Sequence, residues 1–315
     1  MSNDERSRVS EHPLVMENSP LYNVRTMGDA NSSPLPAEET IAIVGVGLIG
    51  GSIAAALKER GFAGRIIGVG RNDLRLENAK AAGLIDEYST NLAESAAQSG
   101  LIVFSTPVNL IVEGVRNIAA SCRPGTLITD AGSTKGNICR ELSSGLIEGV
   151  TFIGSHPLAG SEKQGFEEAD PELFQNRVCV VTPNDTTPAD QLSRLNAFWE
   201  SLGCRAIEMT AERHDQALAR TSHLPHVVAA ALVSLLEKSH NQFTSTGFCD
   251  TTRIAAGDPD LWSAILLANA GEIIQSIDEL NGKLAEFSEA IANRDATTLK
   301  NLLQLAKTNR SNLDL

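Results

Sequence analysis

Thr40-Ile41-Ala42-Ile43-Val44-Gly45-Val46-Gly47-Leu48-Ile49-Gly50-Gly51-Ser52 is the stretch on which the fold turns. Thr40 to Val44 is a short β-branched apolar run, the pattern of a strand buried on both faces. Gly45, Gly47 and Gly50 then spell Gly-x-Gly-x-x-Gly, and Ile53 to Arg60 continues as an Ala- and Leu-rich helix halted by Gly61. In such a turn the first glycine permits the sharp bend and the second lets a pyrophosphate approach the backbone. The third lets the helix lie close to the strand. The helix opens at Leu48, Ile49 and Gly50, whose unpaired N–H groups and dipole favour phosphate. A second apolar strand, Arg65 to Val69, follows at the spacing a βαβ unit needs. That context separates the turn from an ordinary glycine-rich connection and makes it a dinucleotide site.

The end of that second strand bears on which dinucleotide. An NAD site usually places Asp or Glu about 20 residues past the glycines, on the ribose hydroxyl. Here the end reads Val69-Gly70-Arg71-Asn72, with no carboxylate before Asp73. Gly70 leaves room for a phosphate and Arg71 offers it a planar fork of donors, so NADP is expected, with NAD the alternative if Arg71 merely covers the adenine.

Working outward, the alternation of strands and helices continues from about residue 39 to 209. Strands are expected at 40–44, 65–69, 101–105, 126–130, 151–155, 178–182 and 204–208, with helices at 48–60, 73–82, 108–121, 134–144 and 188–202. This is the signature of a doubly wound, mostly parallel, Rossmann-type α/β sheet. Ligands of such sheets sit at the carboxyl ends of the strands, which here include Ser105-Thr106-Pro107, Asp130-Ala131-Gly132-Ser133 and Ser155-His156-Pro157.

Beyond residue 210 the strand signals vanish, leaving an all-α domain over 210–315. Glu212 to Lys238 reads as one long helix kinked at Pro225, followed by helices at 261–277, 279–291 and 297–306. From Val227 to Leu236 the helix is apolar on nearly every face, so it must be buried. A small helical domain cannot enclose it alone, which implies a second subunit. Residues 1–38 are polar and aperiodic, and are expected to form a disordered tail.

The 315 residues carry a formal charge of −13. That acidity argues against nucleic acid or a membrane surface as partner, since both demand basic patches. The run Val227–Leu236 is too short to span a bilayer. Five cysteines, at 122, 139, 179, 204 and 249, are odd in number and widely spaced. They read as reduced thiols of a cytoplasmic protein rather than a disulfide framework or a zinc site.

Four groups of residues have chemistry to offer. His156 follows an apolar strand and is suited to take a proton near neutral pH; the plainer reading is a hydrogen-bonded strand-end histidine. Ser133 has a hydroxyl for cofactor or substrate, or caps the helix at 134–144. His223 and His226 share one helical face, but no third ligand has recognisable spacing, so no metal is assigned. Arg253 can clamp a carboxylate, or pair on the surface with Asp250 or Asp258.

Taken together, GVGLIGGS (45–52), DAGSTKG (130–136), GSHPLAGSE (154–162), SHLPH (222–226) and GFCDTTRIAAGDPDLW (247–262) resemble the prephenate/arogenate dehydrogenases of tyrosine biosynthesis. The resemblance covers about residues 40 to 300. It implies that His156 assists deprotonation of a ring hydroxyl, that Ser133 orients this hydroxyl and the histidine, and that Arg253 binds a substrate carboxylate. It further implies that His223 and His226 line the pocket, that Glu162 belongs to a polar network at its mouth, and that the helical domains intertwine in a homodimer. The implied reaction is oxidative decarboxylation, with aromatisation as its driving force. Where the family commonly carries Lys or Arg before the Asp of the last block, this chain has Cys249. Arogenate bears an ammonium where prephenate has a keto group, so neutral Gln164 leans toward prephenate while Glu162 keeps arogenate open. A β-hydroxyacid dehydrogenase would share the layout but needs a lysine with Asn four residues on, a pair missing from the sequence. A nucleotide-sensing protein without turnover is the remaining alternative.

Overall fold

A computed structural model describes residues 39–144, 146–160 and 163–313, together with the backbone of Asn23–Val24. Glu162, and most of the stretch expected to be a tail, lie outside the described residues. That stretch contributes one element, β1 (Asn23–Val24).

The first βαβ unit forms as the glycine pattern requires, with β2 (Thr40–Val44), α1 (Leu48–Glu59) and β3 (Arg65–Val69). After it come α2 (Asp73–Ala81), β4 (Glu87–Ser89), α3 (Leu92–Gln98) and β5 (Leu101–Phe104). Then follow α4 (Val108–Ala119), β6 (Leu127–Asp130), α5 (Gly136–Leu142) and β7 (Thr151–Phe152). These strands make a six-stranded parallel sheet ordered β4-β3-β2-β5-β6-β7. Its central strands are apolar on both faces, and the cores above and below hold Ile41, Ile43 and Leu101 on one side and Ala42, Ile102 and Ile128 on the other.

The strand expected at 151–155 does not exist as one piece. The chain breaks at Ile153, and β8 (Gly154–Pro157) leaves the large sheet for a smaller one. There it pairs antiparallel with β9 (Val178–Thr182), which pairs parallel with β10 (Arg205–Glu208) after α6 (Ala189–Ser201). β1 closes the order β1-β10-β9-β8. His156 is therefore the third residue of a strand, opposite Val180, and not a residue past a strand end. The β4–α3 connection was also absent from the sequence reading, because β4 is only three residues long and partly exposed.

The helical domain departs from expectation at its first helix. α7 (Ala211–Leu218) runs through a π-helical turn (Ala219–His223) into α8 (Leu224–Ser234). Pro225 sits in the first turn of α8, where its missing N–H costs nothing; the wide turn before it carries the irregularity. α9 (Thr246–Thr252) and α10 (Pro259–Ala268) come next. Then α11 (Ala270–Ala292) replaces the expected break at residue 278 with one 23-residue helix, and α12 (Ala296–Ser311) follows. Within the single chain α8 is only half covered. Ala229 is buried, whereas Val233 is 40% exposed and Leu235, just past the end of the helix, is 79% exposed. No helix among the described residues is long and apolar enough to cross a membrane.

Candidate active site

The glycine turn has the shape its sequence demands. Gly45 adopts φ +95°, and a side chain there would meet the Ser105 carbonyl at 2.7 Å. A side chain at Gly50 would come within 2.1 Å of the Gly45 carbonyl, so α1 abuts the turn. Over Gly47 there is open space. Facing the turn, at the end of β5, the Ser105 and Thr106 hydroxyls are buried without a hydrogen-bond partner, and Pro107 leads into α4. Buried orphan hydroxyls are rare and call for a partner. A backbone cradle open at its middle glycine, flanked by two such hydroxyls, fits a dinucleotide phosphate and ribose. Arg71 lies exposed beyond the end of β3, and Asn72 caps α2 by accepting the Arg75 amide.

The carboxyl end of β6 anchors the chemistry. Asp130 and Lys135 form an ion pair with no exposed side-chain surface. Asp130 also accepts the amides of Gly132 at 2.9 Å and Ser155 at 3.2 Å. The Ser155 hydroxyl donates to the Asp130 carbonyl at 2.6 Å and receives the Trp199 indole N–H at 2.9 Å. Ser155 thus staples β8 to β6 one residue before His156. Ser133 does not cap α5. Lys135 holds the cap position, and its amide and that of Gly136 donate to the Asp215 carboxylate at 2.8 and 2.7 Å.

A chain of three side chains crosses from this anchor to the helical domain. His156 Nδ1 lies 2.8 Å from His214 Nε2, and His214 Nδ1 lies 2.8 Å from Asp215 Oδ1. Burial alone would raise the Asp215 pKa, but His214 and the two amides hold it below the usual carboxylate range. Asp215 is therefore an acceptor only, so the His214 proton is on Nδ1. His214, buried and neutral with a lowered pKa, then accepts through Nε2. The His156 proton is fixed on Nδ1, and Nε2 is its basic nitrogen. Burial, the largest cause, pushes the His156 pKa well below 6.5, and the Lys135 charge adds to it. A neutral imidazole with a directed lone pair is a competent proton acceptor.

The two helical histidines differ from each other. His223 is buried, and its Nδ1 is 3.2 Å from Asn269 Nδ2. His226 stacks on Trp262 with ring centroids 3.5 Å apart, and Gly257 lies against both rings. Gln164 donates to Asp258 at 3.0 Å, tying the loop after β8 to the start of α10. Arg253 follows α9 and is exposed in the single chain, as is Cys249. Among the described residues no group of three or more His, Cys, Asp or Glu is arranged to hold a metal. The sequence reading missed Lys135, His214, Asp215 and Asn269. The adjacent His-Asp pair just beyond the last strand was the signal available for two of them.

A parallel α/β sheet with a glycine-turn phosphate cradle, a helical second domain and a directed neutral histidine between them defines a nicotinamide-dependent dehydrogenase. Two family models match the chain, "Prephenate dehydrogenase, nucleotide-binding domain" over residues 53–208 and "Prephenate dehydrogenase, dimerization domain" over 210–305. The chain belongs to the prephenate dehydrogenase family. It is 33% identical to the prephenate dehydrogenase of Bacillus subtilis over 88% of its own length and 77% of the relative's. It is 32% identical to the cyclohexadienyl dehydrogenase of Zymomonas mobilis over 82% and 90% of the two chains. The crystal structure of the A. aeolicus prephenate dehydrogenase, in complex with hydroxyphenyl propionate and NAD+, superposes with a TM-score of 0.82. That likeness, at 31% identity, covers 89% of this chain and all of the other.

Proposed function

We propose that the protein is a prephenate dehydrogenase of tyrosine biosynthesis, converting prephenate to 4-hydroxyphenylpyruvate and CO2. The observation that carries the reading is the His156–His214–Asp215 chain, which leaves a neutral Nε2 to take the ring-hydroxyl proton. A nicotinamide cofactor held at the glycine turn would supply the acceptor for the hydride on the carbon bearing that hydroxyl. Loss of the ring carboxylate as CO2 then yields the aromatic ring, so the protein has chiefly to orient groups and hold one proton. Ser133 orients the hydroxyl and His156. Arg253 binds a carboxylate of the substrate, with His223 and His226 along the pocket. Arogenate is the alternative substrate, and the relationship to a cyclohexadienyl dehydrogenase keeps it in view. Gln164 favours prephenate because a neutral amide does not recruit the arogenate ammonium.

The cofactor is NADP, held by the glycine turn and by Arg71. The protein works as a homodimer. Leu235, Leu267 and Ile274 are each more than half exposed in one chain, and patches of such residues mark an interface. A cytoplasmic location accords with the five unpaired cysteines. The test is turnover of prephenate and arogenate, each with NADP and NAD, followed by reduced-cofactor absorbance in wild type and His156→Asn. General-base assistance is worth roughly 10²–10⁴-fold, and the variant is expected to lose that much kcat while still binding cofactor. A variant with more than about half the wild-type kcat would remove His156 from the role; no turnover of either substrate would overturn the reading.

A further inference from the structure

Asn269 stands between α10 and α11 and is 95% buried. Its side-chain nitrogen is 2.8 Å from the Asp215 carbonyl and 3.2 Å from His223 Nδ1. A carbonyl only accepts, so the nitrogen facing it is the amide NH2, and its second hydrogen is directed at His223 Nδ1. That ring nitrogen must then carry a lone pair. Burial lowers the His223 pKa to about 4, so near neutral pH the ring holds one proton, and Asn269 confines it to Nε2.

His223 Nε2 is buried without a hydrogen-bond partner. The Ser133 backbone lies beside the ring and favours its charged form, yet no group meets hydrogen-bond geometry at Nε2. A buried, unpaired N–H directed by a second side chain is costly to maintain unless a ligand completes it. We infer that Asn269 is a positioning residue that holds His223 as an Nε2–H donor beside Ser133, where it serves an acceptor oxygen of the bound substrate. This rests on the reading of the site as that of a hydroxy-carboxylate dehydrogenase. His156 and His223 are then opposite tautomers on either side of one substrate. Asp215 governs both, its carboxylate through His214 and its backbone carbonyl through Asn269. One ring accepts the proton of the hydroxyl, and the other donates a hydrogen bond without giving up its own proton.

The experiment combines histidine-selective ¹⁵N NMR of the full-length enzyme with steady-state kinetics of Asn269→Asp and Asn269→Leu. The wild type should show the Nε2–H pattern for His223 without substrate. Aspartate accepts where asparagine donates, so Asn269→Asp should turn the ring to Nδ1–H and remove the Nε2–H donor. A lost hydrogen bond to a charged group predicts a fall of about ten- to a hundredfold in kcat/KM for substrate, with cofactor KM nearly unmoved. If the aspartate variant does not fold, Asn269→Leu should give mixed tautomers and a smaller loss of the same kind. A wild-type Nδ1–H pattern would overturn the inference, as would an aspartate variant whose tautomer is unmoved. So would a switched tautomer with unaltered kcat/KM. The tautomer is read without substrate, so an error in the substrate assignment shows in the turnover assay and leaves this measurement intact.

Discussion

Replacing His214 tests whether the proton on His156 is directed or incidental. In the wild type His214 Nε2 accepts from His156 Nδ1 at 2.8 Å, and nothing else described on that side does so. His214→Phe keeps the ring volume and the edge contact between the two rings but removes the acceptor. His214→Gln offers a carbonyl oxygen in its place. One hydrogen bond contributes about 0.5–1.5 kcal/mol net, and every ~1.4 kcal/mol is tenfold. His214→Phe should therefore cost roughly two- to tenfold in kcat/KM through the tautomer alone, while His214→Gln recovers most of it. A second signature is independent of the first. A general base works while neutral, so activity falls as pH drops through its pKa, and the wild-type limb should lie below the ordinary 6.5. Burial, the largest cause, holds that pKa down, whereas a neutral His214 accepting the Nδ1 proton favours the imidazolium, so its removal moves the limb to lower pH. The assay is kcat/KM against pH for all three proteins. If Phe matches wild type with an unshifted limb, or Gln fails as badly as Phe, the chain is packing and not a proton device.

Three further outcomes follow from the same geometry. Lys135→Met strands the buried Asp130 carboxylate, so urea unfolding should show a loss of about 3–5 kcal/mol; an unchanged midpoint would mean that Asp130 finds another partner. His223 is neutral in the native state with a pKa near 4, whereas the unfolded chain protonates it near 6.5. The native protein thus forfeits about 2 kcal/mol from this ring between pH 7 and pH 5, and unfolding of His223→Asn should show a correspondingly flatter pH dependence. Arg71→Ala should reduce any NADP over NAD preference in kcat/KM by about ten- to a hundredfold; an NAD-preferring wild type, or an unmoved ratio, would take Arg71 out of cofactor choice.

The legibility of this chain divides by how far apart the cooperating residues lie in sequence. Local rules were enough for the glycine turn, since a φ of +95° and a 2.1 Å approach at Gly50 admit little but glycine. They were enough too for the buried strands, whose two apolar faces appear as continuous Ile, Val and Leu runs, and for the change to an all-helical domain near residue 210. His156, Ser133 and His223 could be singled out because each lies in a short block with its own chemistry.

Tertiary contact alone decided the rest. Whether residues 151–157 remain one strand depends on which sheet edge is open, and that edge belongs to β9, more than 20 residues on. Pro225 looks like a kink to any rule of spacing, but a π-helical turn ahead of it places it where a helix tolerates proline. Above all, a histidine's tautomer is not a property of the histidine. The proton on His156 is placed by Asp215 acting through His214, and the two ends of that chain are 59 residues apart along the backbone. Sequence shows which residues can exchange a proton. Only the folded chain, by bringing an obligate acceptor to one ring nitrogen and a donor to another, decides which nitrogen is free to do so.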